Sequence, residues 1–159
     1  MAKTARKKSQ PEIVEQNESH DWLGEAAENY VRYLFAREGF QVFAGSKWGA
    51  DLAIHRPGNL KKWWRIEVRS TDGKGRPNPK SKKRLKEIAD FVVNVNLIKN
   101  SVEADMPYLR AVIYPVKKAK KNGSCNDPDV IYLDGKKRGL FFKKGRNFRR
   151  ILDYLVANS

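Results

Sequence analysis

Cysteine is nearly absent from this chain, which has one, Cys125, among 159 residues. A single cysteine cannot form an intrachain disulfide, and with only two histidines there is no Cys/His cluster to bind a structural zinc ion. No apolar run approaches the roughly 18 residues that a membrane span needs, and no apolar segment follows the basic start MAKTARKKSQ. These absences exclude disulfide scaffolds, zinc fingers and membrane spans. They predict a protein of the reducing cytoplasm, associated with the nucleoid if the source is bacterial or archaeal.

Negative charge is also scarce. The chain has 18 Asp and Glu against 33 Lys and Arg, which gives a net charge of +15 and a pI near 10.0. The excess is concentrated in two segments: residues 56–86 have twelve basic residues against two acidic ones, and residues 117–146 have ten against three. A basic run is usually a solvated face, but runs this unbalanced repel themselves unless a polyanion binds. They predict contact with the backbone of duplex DNA or RNA.

The length and the spacing of apolar residues predict one domain. Residues 1–19 are basic and lack hydrophobic periodicity, which indicates a flexible arm, and residues 20–159 form the domain. Apolar residues spaced by three and four positions predict a helix from Asp21, its N-cap, to Gly39. Short β-branched and aromatic runs predict strands at 40–43, 51–55, 63–70, 91–97 and 108–116, with a loop at 71–81 and a short basic helix at 82–88.

The C-terminal part predicts a hairpin of residues 130–133 and 139–142 around Asp134-Gly135, followed by an amphipathic helix from Phe148 to Val156. The order helix, three strands, helix, strands predicts an α/β domain with a mixed central sheet.

Two of the few acidic residues fall within predicted strands. Asp51 opens one strand and Glu67 lies in the middle of the next, where alternation places it on one face with Arg65 and Arg69. If these strands pair through the turn at 57–59, the two carboxylates approach each other on the polar face. Their repulsion would be relieved by a cation, and Mg²⁺ suits a site of one or two carboxylates plus phosphate oxygens.

These segments carry a family resemblance. Gly49-Ala50-Asp51-Leu52-Ala53-Ile54 and Ile66-Glu67-Val68-Arg69-Ser70 follow Gly24-Glu25-Ala26-Ala27-Glu28 and Glu38-Gly39-Phe40-Gln41-Val42. Over residues 21–97 the chain resembles the PD-(D/E)xK nuclease superfamily, and within it archaeal Holliday-junction resolvases and small restriction or homing endonucleases. The sequence has Ala50 in place of the motif's proline and Arg69 in place of its lysine.

The resemblance implies a restriction endonuclease-like αβββαβ core and a metal-dependent endonuclease acting on double-stranded or branched DNA. It implies that Asp51, Glu67, the Val68 carbonyl and Glu28 bind Mg²⁺, for which Mn²⁺ substitutes, and that Arg69 neutralises charge on the scissile phosphate. Helical geometry favours Glu28 over Glu25, because Glu28 lies at the edge of the apolar stripe. Cleavage of both strands would favour a homodimer.

Each assignment has a structural alternative. Glu28 can pair with Arg32 on the helix surface, Asp51 can satisfy turn amides, and Glu67 can belong to a cross-strand ion ladder. A lone histidine such as His55 is more often structural, and adjacent tryptophans more often pack a core than stack on bases.

The basic residues nearest the predicted site are the candidates for contact with nucleic acid: Lys47, His55, Arg65, Lys74, Arg76, Lys80, Lys82 and Lys83. Two other functions remain open. One is a catalytically weak or inactive nucleic-acid-binding protein on the same fold, and the other is a basic ribonucleoprotein or architectural component without a metal site.

Overall fold

The computed structural model describes residues 18–45, 49–58, 61–71, 81–98, 108–121, 123, 125, 131–133 and 148–159. Most of the predicted arm, the predicted loop and the predicted second strand of the C-terminal hairpin lie outside these ranges. Lys47, Lys74, Arg76 and Lys80 also lie outside them. In the described part of the chain, no helix has the length and apolar character needed to cross a membrane.

The described residues form an α/β structure with a mixed sheet, as the sequence predicts, and within them the sheet has six strands. The strands lie in sequence order from β1 to β6, with β3 and β4 parallel and every other neighbouring pair antiparallel. The elements are α1 (Glu18–Arg37), β1 (Gln41–Ala44), β2 (Leu52–His55), β3 (Trp63–Thr71), α2 (Lys82–Ile88), β4 (Phe91–Ile98), β5 (Tyr108–Pro115), a 3₁₀ turn (Val116–Lys118), β6 (Ile131–Tyr132) and α3 (Phe148–Asn158).

Helix α1 begins about a turn before its predicted start. Asp21, the predicted N-cap, lies inside the helix, which includes Glu18 and Ser19 from the end of the predicted arm. An acidic residue is favourable anywhere in the first helical turn, because the exposed amides there carry partial positive charge, so it does not fix the first residue. The predicted end is confirmed: Gly39 follows with φ +96, a conformation that glycine adopts without strain.

Side-chain alternation along β3 separates two apolar clusters on the two faces of the sheet. Trp64 and Ile66 face a larger cluster that includes residues of α1 and α3. The odd-numbered positions of β3 face the other side, where α2 contributes Leu85 and Ile88 to a smaller cluster with Val92 of β4. The sheet is therefore covered on both faces, as expected for a parallel crossover connection.

Helix α2 supplies the crossover between the parallel strands β3 and β4, and its observed bounds equal the predicted ones. Ser81 caps its N-terminus by accepting a hydrogen bond from the Arg84 amide at 3.3 Å. At the other end, the Asp90 amide donates to the Arg65 carbonyl at 2.9 Å. These bonds fix where the chain leaves and rejoins the sheet beside Glu67.

Candidate metal and nucleic-acid site

Asp51 lies where strands β2 and β3 cease to pair. The backbone register ends at Leu52 and Ile66, and beyond it Asp51 Oδ2 accepts a hydrogen bond from the Val68 amide at 2.7 Å. The carboxylate thus replaces the strand carbonyl that would otherwise bond this amide. On the other side, the Gly45 amide donates to the Asp51 carbonyl at 2.8 Å. Asp51 is therefore held by strand β3 and by the residue that follows β1, and its carboxylate satisfies a strand amide rather than a turn amide.

Glu67 lies in the middle of β3 and is 2% exposed. Its neighbour on β4 is Val92, a member of the cluster under α2, so Glu67 faces the interior on that side. Continuing the β2–β3 register by one residue places Asp51 opposite Glu67. In this extended register the two carboxylates can approach each other, and their approach stays a prediction.

Arg69 follows on the same face of β3 and is 8% exposed. Its Nη1 atom donates to the Gly123 carbonyl at 3.3 Å, and Tyr114 Oη donates to the same carbonyl at 2.9 Å. Burial raises the pKa of Tyr114, and the nearby positive charge of Arg69 opposes that rise. Arg69 therefore has a structural partner, and its predicted action on a scissile phosphate stays a prediction.

Glu28 is half-buried on α1, beside Ala27 of the larger cluster. That helix packs on the sheet face opposite to Glu67. Among the described residues, no group of three or more His, Cys, Asp or Glu side chains is placed to share a metal ion. Glu28, Asp51 and Glu67 thus do not form such a group of three, and the predicted binding of a metal by these carboxylates stays a prediction.

His55 and Arg65 are predicted nucleic-acid contacts, but in the structure both side chains interact with other residues of the chain. His55 is 1% exposed, and its Nδ1 atom lies 2.9 Å from the Arg56 carbonyl oxygen. In this structure its ring is not placed where a phosphate reaches it. Arg65 pairs with Asp90 at 2.9 Å and donates to the Glu87 carbonyl at 3.0 Å. The hydrogen bonds that Arg65 donates to the Asp90 carboxylate raise the pKa of the guanidinium, which stays charged.

The two described lysines of the predicted contact set lie at the start of α2. Lys82 Nζ donates to the Lys117 carbonyl at 2.8 Å, while Lys83 is exposed. The Lys83 side chain is therefore accessible to a phosphate.

Sequence reasoning missed Tyr114 and Gly123 as partners of Arg69, and Phe43 as a partner of His55. Phe43 and His55 stack with ring centroids 5.8 Å apart. Both contacts join segments that are separate in sequence. Alternation assigns Phe43 to one face of β1, but the pairing that puts this face beside Ala53 and His55 is given only by the register of the structure.

Comparison with known proteins finds no family model, no curated protein and no solved structure that matches this chain. The geometry of the described residues and the charge of the whole chain are therefore what a functional proposal rests on.

Proposed function

We propose that this protein is a Mg²⁺-dependent endonuclease with a restriction endonuclease-like fold, which hydrolyses phosphodiester bonds in DNA. The observation that carries the proposal is the bond from the Val68 amide to Asp51, which holds one carboxylate beside the buried Glu67. Two neighbouring carboxylates repel each other. A divalent cation bound to both carboxylates and to a phosphate would relieve this repulsion, and the net charge of +15 favours binding of a phosphate-rich partner.

The oxygen donors at this place fit Mg²⁺ by their chemistry. The Val68 amide bonds Asp51 Oδ2, so Oδ1 is the carboxylate oxygen that would bind a cation. The N–H and C=O groups of one strand residue point to the same neighbouring strand, so the Val68 carbonyl faces the side on which Asp51 lies. Two carboxylates and one carbonyl form a set of hard oxygen ligands that leaves positions for water and phosphate.

The chemistry that such a cation supplies when bound is neutralisation of the scissile phosphate and activation of the attacking water. The chain's own contribution is positional: Asp51 is fixed by the Val68 amide, and Glu67 is fixed by strand β3 and the apolar cluster beside it. Arg69 cannot act as a general base, because a guanidinium stays protonated at any accessible pH. The proton of the attacking water therefore passes to solvent or to a substrate oxygen.

The direct test is cleavage of a panel of duplex, flap, fork and four-way-junction DNA, together with an RNA duplex, with Mg²⁺ or Mn²⁺. Glu67→Gln and Asp51→Asn should each lower the cleavage rate by about 100-fold or more, the scale of losing one transition-state stabilising group. DNA binding should stay equal or become tighter, because each change removes a negative charge that repels phosphate. Calorimetric titration should show weaker Mn²⁺ binding in both variants.

Asp153→Asn is the matched control, because Asp153 is an exposed carboxylate on α3, paired with Arg149 at 3.2 Å. It should cut and bind Mn²⁺ as the unmodified protein does. Asp51→Asn keeps an oxygen that accepts from the Val68 amide, so its fold should persist, whereas Asp51→Ala leaves that amide unbonded at a cost of about 1–3 kcal/mol. If Glu67→Gln or Asp51→Asn cuts at the unmodified rate, the proposed site is wrong.

A second candidate is a nucleic-acid-binding protein that has lost catalysis on the same fold. The observation that favours it is Arg69, which stands where the family it resembles has lysine and is bonded to the Gly123 carbonyl. This candidate predicts salt-dependent DNA binding with no cleavage of any substrate in the panel. Arg69→Lys separates the two, because it restores the usual group and should retain or raise activity only if the metal site works.

A further inference from the structure

Three ring side chains form a cluster on the sheet face that also carries Glu67. Phe43 of β1, His55 of β2 and Trp63 of β3 are referred to below as the aromatic platform. Their ring centroids lie 5.8 Å apart for Phe43 and His55, 5.1 Å for Phe43 and Trp63, and 4.4 Å for His55 and Trp63. The three rings thus contact one another across three neighbouring strands, and each supports the other two.

The platform has a buried centre and two exposed rings. His55 is almost fully buried, while Phe43 and Trp63 are 50% and 37% exposed. Exposed rings held on a buried one cannot fold back into the core, since the sheet fixes their backbones. The arrangement presents π-surface to solvent on a rigid support, which is the form that base-stacking surfaces take in proteins that bind single strands.

The surroundings of the platform identify its occupant. Arg56 and Lys61 are exposed and lie in the connection between β2 and β3, which joins His55 to Trp63. Lys62 Nζ, in contrast, lies over the ring of Trp64, 5.5 Å from its centroid, and Trp64 faces the larger cluster. Cations beside exposed rings complement a nucleotide, which has a π-face and a phosphate. A second copy of this chain is disfavoured as occupant, because each copy carries a net charge of +15.

The aromatic platform and the proposed metal site lie on the same face of the sheet. Trp63 and Glu67 lie on the same face of β3, four positions apart, which is about 13 Å along a strand. That separation equals about four stacked nucleotides at roughly 3.4 Å each. Between the two places lie Arg65 on β3, whose guanidinium is held by Asp90 and the Glu87 carbonyl, and Ala53, its register partner on β2.

We propose that the aromatic platform binds the unpaired bases of a nucleic-acid strand by stacking on Phe43 and Trp63. This proposal rests on the proposed function and names its substrate class: a frayed, flapped or branched nucleic acid with unpaired bases about four nucleotides from the cleaved bond. A fully paired duplex has no exposed base faces to offer, and it binds through its phosphates alone.

The test measures binding of a fluorescent single-stranded DNA and of the matching duplex by anisotropy, in EDTA, so that no cleavage occurs. Phe43→Leu and Trp63→Leu should each weaken single-strand binding about fivefold or more, the lower end for one base–aromatic stack, while duplex affinity changes less than twofold. Trp63→Phe should restore most of the single-strand affinity. The matched control is Trp22→Leu, since Trp22 on α1 is 56% exposed and lies outside the platform.

Unchanged single-strand affinity in both leucine variants overturns the proposal, and so does an equal loss for single strand and duplex. A shift from dimer to monomer in sedimentation, without a change in single-strand affinity, would assign the rings to a second copy and also overturns it. If circular dichroism shows that the Trp63→Leu variant is unfolded, the single-strand affinity of the Phe43→Leu variant, on the edge strand β1, decides the test. Failure of the nuclease proposal is separate, because it is absence of cleavage by the unmodified protein, whatever the stacking result.

Discussion

The Gly123 carbonyl accepts two hydrogen bonds that the sequence did not predict. Arg69 and Tyr114 both donate to it, at 3.3 and 2.9 Å. Gly123 has φ +77, a conformation that side-chain-bearing residues rarely adopt. The carbonyl is thus turned toward two buried donors by a backbone shape that glycine permits, and the contact joins β3 and β5 to the segment that follows the 3₁₀ turn.

Tyr114 gives this contact a pH dependence. Burial raises its pKa, so the folded state holds the phenolic proton at pH values where the unfolded chain has released it. The stabilisation is complete below the unfolded pKa of about 10 and is lost as pH rises through the folded pKa. Tyr114→Phe should be less stable by about 0.5–1.5 kcal/mol at neutral pH, the value of one hydrogen bond, and the difference should narrow above about pH 10.

Urea unfolding of both proteins across pH 7 to 11 measures this difference directly. The other five tyrosines are present in both proteins, so their titration cancels in the comparison. A stability difference that stays constant, or widens, as the solution becomes alkaline would contradict the assignment of a raised pKa to Tyr114.

At the scale of elements, the crossover through α2 depends on a cluster around Arg65. The Arg65 amide and Nε donate to Asp90 Oδ2 at 2.8 and 3.3 Å, and its Nη2 donates to Oδ1 at 2.9 Å. The same guanidinium bonds the Glu87 carbonyl in the last turn of α2. One side chain therefore ties β3 to both the end of the crossover helix and the start of β4.

Asp90→Ala should lower the free energy of unfolding by about 1.5–3 kcal/mol, because it removes bonds to a charged group that is only partly exposed. Glu87→Ala is the matched control: its carboxylate pairs with Arg84 on the surface at 3.3 Å, and the substitution keeps the Glu87 carbonyl. That change should stay within about 0.5 kcal/mol. Equal effects of the two substitutions in urea unfolding would show that the crossover does not depend on Asp90.

Elements with a strong local signal were predictable from sequence. The bounds of α2 agree with the predicted ones. Those of β2 and β3 differ by one residue at one end, because the turn at 57–59 and alternating apolar residues define these strands. The start of α1 was missed, since several polar residues before Asp21 are acceptable in a first helical turn. The local sequence thus predicts that a helix or strand exists better than it predicts the residues at which that element begins and ends.

The candidate site was predictable only where it follows from strand register. Asp51 falls opposite Glu67 when the pairing of β2 and β3 is continued by one residue, and the turn between these strands is visible in the sequence. The bond of Asp51 to the Val68 amide, the contact of Arg69 with Gly123 and the burial of His55 depend on side-chain packing between distant segments. Nothing in local propensity or periodicity specifies such contacts.

For the whole molecule, the distribution of charge matters more than any single contact. The described acids that pair with arginines are placed in structural contacts: Glu38 with Arg37, Asp90 with Arg65, Glu87 with Arg84 and Asp153 with Arg149. Such pairs cancel equal charges, so the chain keeps its excess of 33 basic over 18 acidic residues, a net charge of +15. Such a field draws polyanions at long range and is screened by salt.

The salt dependence of DNA binding is therefore the prediction that belongs to the molecule as a whole. If six or more phosphates are neutralised, log K plotted against log salt concentration for duplex DNA should have a slope steeper than about −5, because each contact releases condensed counterions. Anisotropy titrations from low to moderate salt, in EDTA, measure it. Lys83→Ala, an exposed lysine at the start of α2, should make the slope shallower by about 1, while Val156→Ala on the exposed face of α3 should leave it unchanged. A slope near −1 for the unmodified protein would remove nucleic acid as its partner, since a bound phosphate backbone cannot release so few ions.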